Sequence, residues 1–188
     1  RFILKKLLLI TFFFHQLSTV ICQSIRYWQQ QVNYTIDVSL NDVEHTLDGY
    51  IKMNYFNNSP DTLPFLWIHL WPNAYKNDRT AFSDQLLENG NTRFYFSGED
   101  KKGYINRLHF KADNITVQTE DHPQHQDIIK LILNNPLAPG AQVSIETDFH
   151  VQLPEYVSRS GYSGQSFFIT QWYPKPAVYD YKGWHPMP

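Results

Sequence analysis

Three long stretches of the sequence alternate apolar and polar residues with a period of two. They cover residues 28–40, 47–55 and 143–151. Successive side chains of a β-strand point to opposite faces of a sheet, so this period predicts strands with one buried and one wet face. The turn formers Asn41 and Asp42 separate the first two runs. We therefore expect an antiparallel hairpin near the start of the domain.

Shorter apolar runs predict further strands. Residues 65–71 are continuously apolar and predict a strand that is buried on both faces. Additional strands are expected at residues 104–110, 114–117, 128–133 and 167–170. Residues 74–89 are the one stretch with a helical pattern, and Gly90 is a suitable stop. About eight strands without βαβ units predict an all-β fold, an antiparallel β-sandwich or curved two-sheet domain with one short helical insertion.

Charge and composition limit the partners. The net charge is −2, which gives no basic field for nucleic acid. Aromatic residues make up 16% of the chain, and such side chains pack well on pleated sheets. The composition therefore supports a β domain with no nucleic-acid partner.

The first 22 residues have the proportions of a secretory signal peptide. Arg1, Lys5 and Lys6 form a basic region, and an apolar run of eight residues follows at 7–14. A transmembrane helix needs about 20 apolar residues, so no stable membrane span is expected. Cleavage after Cys22 would leave residues 23–188 as the mature β domain, in a secreted or periplasmic protein. Because the chain begins at Arg1 and stops at Pro188 without a terminating signal, we expect a fragment of a longer protein.

Motifs for catalysis and metal binding are missing from the sequence. It has no His-Glu-x-x-His, no Gly-x-Ser-x-Gly and no phosphate-binding glycine loop. His69 lies in an apolar run and is expected to be a hydrogen-bonded core residue. His122 and His125 lie in a polar loop, where a solvated hairpin tip is expected rather than a zinc site. We therefore predict no catalytic residue, no metal ligand and no bound cofactor in this chain, and no enzyme activity by the chain alone.

The closing stretch, residues 166–188, changes character halfway. It starts as a strand and then becomes a proline-punctuated run that is rich in Trp and Tyr. Two interpretations remain open. An irregular loop on a rigid scaffold is a common binding surface, whereas prolines that end a strand at an aromatic core edge are purely structural.

Four segments in order resemble a known family. They are NYTIDVSLNDVEHTLDGYIKMNYFN, LPFLWIHLWPNAY, LNNPLAPGAQVSIETDFHVQLP and FFITQWYPKPAVYDYKGWHP. Together they resemble the N-terminal domain of the aminopeptidase N family of zinc metallopeptidases, in its secreted bacterial branch, from Trp28 to Pro188. The resemblance implies a saddle-shaped β-sandwich that precedes a thermolysin-like catalytic domain. Zinc would be bound in that downstream domain by His-Glu-x-x-His and a distant Glu, none of which is in this chain.

The resemblance also implies a substrate-binding segment. The family has Thr-Gln-x-Glu or Thr-Gln-x-Gln in this domain, and its polar side chains help to anchor the free α-amino group of a peptide substrate. The matching residues here are Thr170, Gln171, Trp172 and Tyr173. Tyr173 departs from the family, because a phenol can accept a hydrogen bond from an ammonium but carries no charge at neutral pH. Trp172 or Tyr173 would then contribute a cation–π contact.

Three functions stay open at this point. The first is the N-terminal domain of a secreted zinc metallo-aminopeptidase, whose partners are the peptide N-terminus and the downstream catalytic domain. The second is a non-catalytic β-sandwich module that binds carbohydrate or peptide through its aromatic edge. The third is a relative of the family that has lost catalysis and serves as an interaction scaffold.

Overall fold

The computed structural model describes residues 27–155 and 157–188. The expected signal peptide, residues 1–22, lies outside the described residues. Within these ranges the chain forms fourteen strands and one α-helix, together with 3-10 helices at Trp71–Tyr75 and Glu99–Lys101. The prediction of an all-β antiparallel sandwich with one short helical insertion is confirmed.

The strands are numbered in chain order. They are β1 Gln31–Asn41, β2 Thr46–Phe56, β3 Leu63–His69, β4 Tyr104–Asn106, β5 Lys111–Ala112, β6 Ile115–Thr116, β7 Gln118–Asp121, β8 Ile128–Leu137, β9 Gln142–Gln152, β10 Gly161–Ser163, β11 Ser166–Phe168, β12 Lys175–Pro176, β13 Val178–Asp180 and β14 Gly183–His185. The helix α1 covers Ala81–Glu88.

Two antiparallel sheets form the sandwich. The large sheet has the order β1-β2-β9-β5-β6, with β4 also paired to β9, and the small sheet has the order β12-β3-β8-β7. Strands β1 and β2 pair over eleven consecutive residues, as do β2 and β9. The hairpins β10-β11 and β13-β14 carry the chain across the closing stretch. Long continuous registers suit the alternating runs, because a slip of one residue would turn every apolar side chain to the wet face.

The core lies between the two sheets. Its fully or almost fully buried members come from the alternating positions of β2 and β9 and from the middle of β3 and β8: Leu47, Ile51, Met53, Tyr55, Leu66, Ile68, Leu131, Ile145, Phe149 and Val151. Gly49 provides the space for the Phe149 ring. A Cβ atom at that position would lie 2.4 Å from Phe149 Cζ and 2.8 Å from the Asp37 carbonyl oxygen. The inward faces predicted from the period of two are therefore those that form the core.

Strand β3 differs from its prediction. It ends at His69, and Trp71 begins a 3-10 helix with proline at its start. Leu66 and Ile68 are buried, but Phe65 and Trp67 on the opposite face are only half-buried. Aromatic neighbours cover that outer face, since Phe65 stacks on Trp184 with ring centroids 6.1 Å apart. The apolar run is therefore apolar on both faces because one face packs against the core and the other is partly covered by aromatic side chains.

Helix α1 is shorter than the predicted helical stretch. Thr80 sets its start as N-cap residue, because the Thr80 side chain accepts a hydrogen bond from the Ser83 amide at 3.2 Å. The turn before it is held by the Asn77 side chain, which accepts a hydrogen bond from the Arg79 amide. Asx turns of this kind compete with helical hydrogen bonding, which explains why residues 76–80 stay outside the helix. Within the described residues, no helix has the length and apolar character needed to cross a membrane.

A buried asparagine joins the end of the sandwich. Asn57 is completely buried, and its Nδ2 donates to the carbonyls of Asp61, Leu137 and Ala138 at 2.7, 3.0 and 3.2 Å. Its Oδ1 accepts from Ser59 Oγ at 2.6 Å. The side chain therefore links the turn after β2 to the end of β8 and the turn that follows it.

Candidate functional site

The segment that precedes Gln171 is fixed by a serine. Ser160 Oγ donates to the Thr170 carbonyl at 2.8 Å, and Thr170 Oγ1 donates to the Arg159 carbonyl at 3.0 Å. Ser160 is buried and lies just before β10, so this connection ties the chain after β11 to the start of the hairpin. The hydrogen bonds place the next residue, Gln171, in a defined position.

Gln171 has a left-handed backbone and an exposed side chain. Its φ is +53°, a region that costs a non-glycine residue roughly 1–2 kcal/mol. Strain of this kind persists only where surrounding contacts impose it, and it is concentrated at functional positions. The contacts of Thr170 with Ser160 supply that constraint. Gln171 thus combines an unusual backbone conformation with an amide that is accessible from outside.

The side chain of Gln171 lines a cavity of about 480 Å³ between the hairpin and the helical insertion. Asp127, Arg159, Tyr75 and Gln85 line the same cavity. Asp127 is only 4% exposed, and burial raises the pKa of its carboxyl above the ordinary value. An incoming cation would favour the ionised carboxylate and reverse that shift.

Trp172 and Tyr173 have different neighbours. The Trp172 ring lies 5.9 Å from the ring of Phe149 in the core, and the Tyr173 ring lies 5.6 Å from Tyr34 in an edge-to-face contact. Both side chains are half-buried. Burial raises the pKa of the Tyr34 phenol, and the neighbouring Tyr173 phenol raises it further. The structure therefore brings Trp172 and Tyr173 together on the large sheet, whereas Gln171 faces the cavity that contains Asp127.

Asp127 was not found by sequence reasoning. It lies in the loop before β8, 44 positions from Gln171 in the chain, and the loop was interpreted as a solvated hairpin tip. The signal that could have found it is an acidic residue immediately before a buried strand, because such a position is held close to the core.

The three histidines singled out in the sequence have structural surroundings. His69 is 6% exposed and stacks on Trp71 at 5.0 Å, so its core position is as predicted. Its Nδ1 has no hydrogen-bond partner, so the predicted hydrogen bond is absent at that atom. Burial and the nearby Lys175 charge lower the pKa of His69 to about 4, which keeps the ring neutral at physiological pH.

His122 and His125 stack on each other with ring centroids 4.7 Å apart. The His122 Nδ1 accepts hydrogen bonds from the amides of Gln124 and His125, both at 3.2 Å. Burial and the neighbouring His125 lower the pKa of His122. In the described parts of the chain, no group of three or more His, Cys, Asp or Glu residues is arranged to hold a metal ion.

A second cavity, of about 550 Å³, is aromatic. Trp28, Tyr34, Tyr55 and Tyr179 contribute to its wall between the first described residues and β13. Tyr55 is fully buried, and its hydroxyl has no hydrogen-bond partner. An unpaired buried hydroxyl is unfavourable by about 1–3 kcal/mol, and this one has almost no surface open to a ligand.

Comparisons with known proteins did not place the chain in a family. No protein-family model matches it. A search of curated proteins found no significant match either.

Proposed function

We propose that this chain is the N-terminal domain of a secreted zinc metallo-aminopeptidase of the aminopeptidase N type. In this proposal the domain forms one wall of the substrate cleft, and the zinc chemistry belongs to a downstream domain of a longer protein. The chain alone is inactive and binds no cofactor. The resemblance of residues 28–188 supports this assignment, and so does the β-sandwich architecture that the resemblance implies.

The observation that carries the proposal is the presentation of Gln171. Its position in the Thr-Gln-x-Tyr segment is the one for which the family resemblance implies contact with the substrate's α-amino group. The left-handed backbone and the Ser160–Thr170 hydrogen bonds hold it outward, into a cavity that also contains a buried carboxylate, Asp127. An amide oxygen and a carboxylate are both acceptors for an ammonium. Gln171 and Asp127 therefore supply acceptors for a free peptide N-terminus, against the positive charge of Arg159 on the same wall.

Each residue of the segment has a role in this proposal. Gln171 accepts a hydrogen bond from the substrate ammonium, and Asp127 contributes negative charge. Trp172 and Tyr173 hold the loop against the large sheet through Phe149 and Tyr34, and neither ring lines the cavity that Gln171 faces. Zinc, when bound by the downstream domain, would supply an activated water for hydrolysis of the first peptide bond.

Replacing Gln171 with alanine should weaken recognition of a free amine. In the longer protein, we expect about 10- to 100-fold weaker inhibition by a competitive inhibitor that carries a free α-amine, since a hydrogen bond to a charged group contributes about 1.5–3 kcal/mol. The inhibition constant of the des-amino analogue of the same inhibitor should change less than twofold. Both constants are measured by steady-state inhibition of aminoacyl anilide cleavage.

The matched control is Gln165→Ala, which removes an equally exposed glutamine in the turn between β10 and β11. It should leave both inhibition constants unchanged. If Gln171→Ala weakens the two inhibitors equally, the residue does not anchor the amine and this part of the proposal is wrong.

The aromatic cavity favours a second candidate function, a non-catalytic module that binds carbohydrate or peptide. Its rings suit stacking. Saturable binding of a simple sugar or peptide by the chain alone, abolished by Trp28→Ala, would favour this candidate over the first.

A further inference from the structure

The outer edge of β1 is long and lacks the usual protection. β1 is the terminal strand of the large sheet, and among the described residues no strand pairs with its outer side. Its eleven residues contain no proline, lysine or arginine, and its register with β2 has no bulge. Natural sheets protect free edges with such devices, because an open edge is a template for pairing with another chain.

The edges of the small sheet show the contrast. β7 has four residues, all exposed, and two of them are the acidic Glu120 and Asp121. β12 has only two residues, and one of them is Pro176. Short, charged or proline-containing edges resist strand addition. β1 is longer than either edge, has no proline and has a single charged residue, Asp37, so it is less protected.

Part of the inward face of β1 is uncovered. Val38 and Leu40 belong to the apolar face of the strand, yet each is 46% exposed. Ile36, two residues earlier, is half-buried. A strand added beside β1 would cover these side chains with its own apolar residues.

We propose that β1 pairs with β1 of a second copy of this chain, antiparallel and centred on Ile36, so that the two large sheets become one. The polarity of the strand is self-complementary about this residue, as a two-fold interface requires. Apolar side chains oppose apolar ones, in the pairs Val32 with Leu40, Tyr34 with Val38, and Ile36 with Ile36. Polar side chains oppose polar ones, in the pairs Gln31 with Asn41, Asn33 with Ser39, and Thr35 with Asp37.

Charge favours the same register. Asp37 is the one charged residue of β1, and centring on Ile36 places it opposite Thr35 of the second copy rather than opposite another carboxylate. A shift by one residue would bring apolar side chains opposite polar ones, and larger shifts would leave the strand ends unpaired. The full-length, in-phase pairing therefore uses all eleven residues without a like-charge contact.

Sedimentation velocity of the full chain tests this pairing. We expect a monomer–dimer equilibrium whose dimer fraction rises between about 1 and 100 μM. Thr35→Asp should weaken dimerisation about tenfold, because symmetry places the new carboxylate opposite Asp37 twice, and like charges directly opposite destabilise a sheet. Within one copy, residue 35 faces Lys52 on β2, so the same change does not harm the fold.

Thr35→Lys is the variant of opposite charge. It sets an ammonium opposite Lys52 within one copy, so circular dichroism must first show that both variants remain folded. It also places an ammonium opposite Asp37 of the second copy and should strengthen dimerisation relative to Thr35→Asp by more than tenfold. A chain that stays monomeric at 100 μM overturns the proposal. A dimer whose dissociation constant is the same in the Thr35→Asp and Thr35→Lys variants overturns it as well, because the interface would then lie elsewhere.

Discussion

Phe149→Ala should lower the free energy of unfolding by about 3–5 kcal/mol, the usual loss for removing a fully buried aromatic side chain. Phe149 is 2% exposed, lies over Gly49 and contacts the Trp172 ring at 5.9 Å. Alanine would leave a cavity between the large sheet and the loop that carries the candidate site. Urea unfolding followed by circular dichroism measures the change.

Asp148→Ala, on the wet face of the same strand, is the control and should change stability by less than about 0.5 kcal/mol. A loss of under 1 kcal/mol for Phe149→Ala would contradict the packing described for the core. Trp172 packs on Phe149, so Phe149→Ala should also speed amide hydrogen exchange at residues 170–173. That rate reports whether the core positions the Gln171 loop.

Asn57→Ala should be comparably destabilising, by about 3–5 kcal/mol. The change removes the side-chain donor to the buried Leu137 carbonyl and the acceptor of the buried Ser59 amide and hydroxyl. Each buried group left unpaired is unfavourable by about 1–3 kcal/mol. Asn57→Asp keeps the shape but replaces the donor with a carboxylate that faces the Leu137 carbonyl. It should therefore be at least as destabilising at neutral pH.

The neighbouring asparagine is the control for this prediction. Asn58 is exposed, and its Nδ2 makes one hydrogen bond, to the Gln29 carbonyl at 2.9 Å. Asn58→Ala should cost less than about 1 kcal/mol in the same urea titration. Equal losses for the two asparagines would show that the network around Asn57 does not hold the end of the sandwich together.

The strands were predictable from sequence because their signal is local. Each inward position of β2 and β9 follows directly from a period of two, and the burial of residues such as Ile51 and Ile145 agrees with it. The ends of elements were less predictable. Strand β4 stops at Asn106 although the apolar pattern continues to Phe110, since Arg107 adopts a positive φ of 57° that interrupts the extended backbone.

The candidate site shows why the rest was not predictable. The conformation of Gln171 depends on the hydrogen bonds between Thr170 and Ser160, which lie at the two ends of the β10-β11 hairpin. Asp127 reaches the same cavity from the loop before β8. Neither contact produces a periodic pattern in the sequence from which it could be predicted. The resemblance to aminopeptidase N predicts a site at Thr170–Tyr173, and that prediction does not distinguish the exposed Gln171 from the half-buried Trp172 and Tyr173, whereas the fold does.

The most direct test of the proposed function uses the longer protein and one peptide in two forms. The peptide is supplied with a free N-terminus and with an acetylated one, and mass spectrometry follows removal of the first residue. We expect the zinc-containing protein to shorten only the free form, and the 188-residue chain alone to shorten neither. No removal by the zinc-loaded longer protein, or equal removal from the acetylated peptide, would contradict the assignment of this domain to an aminopeptidase.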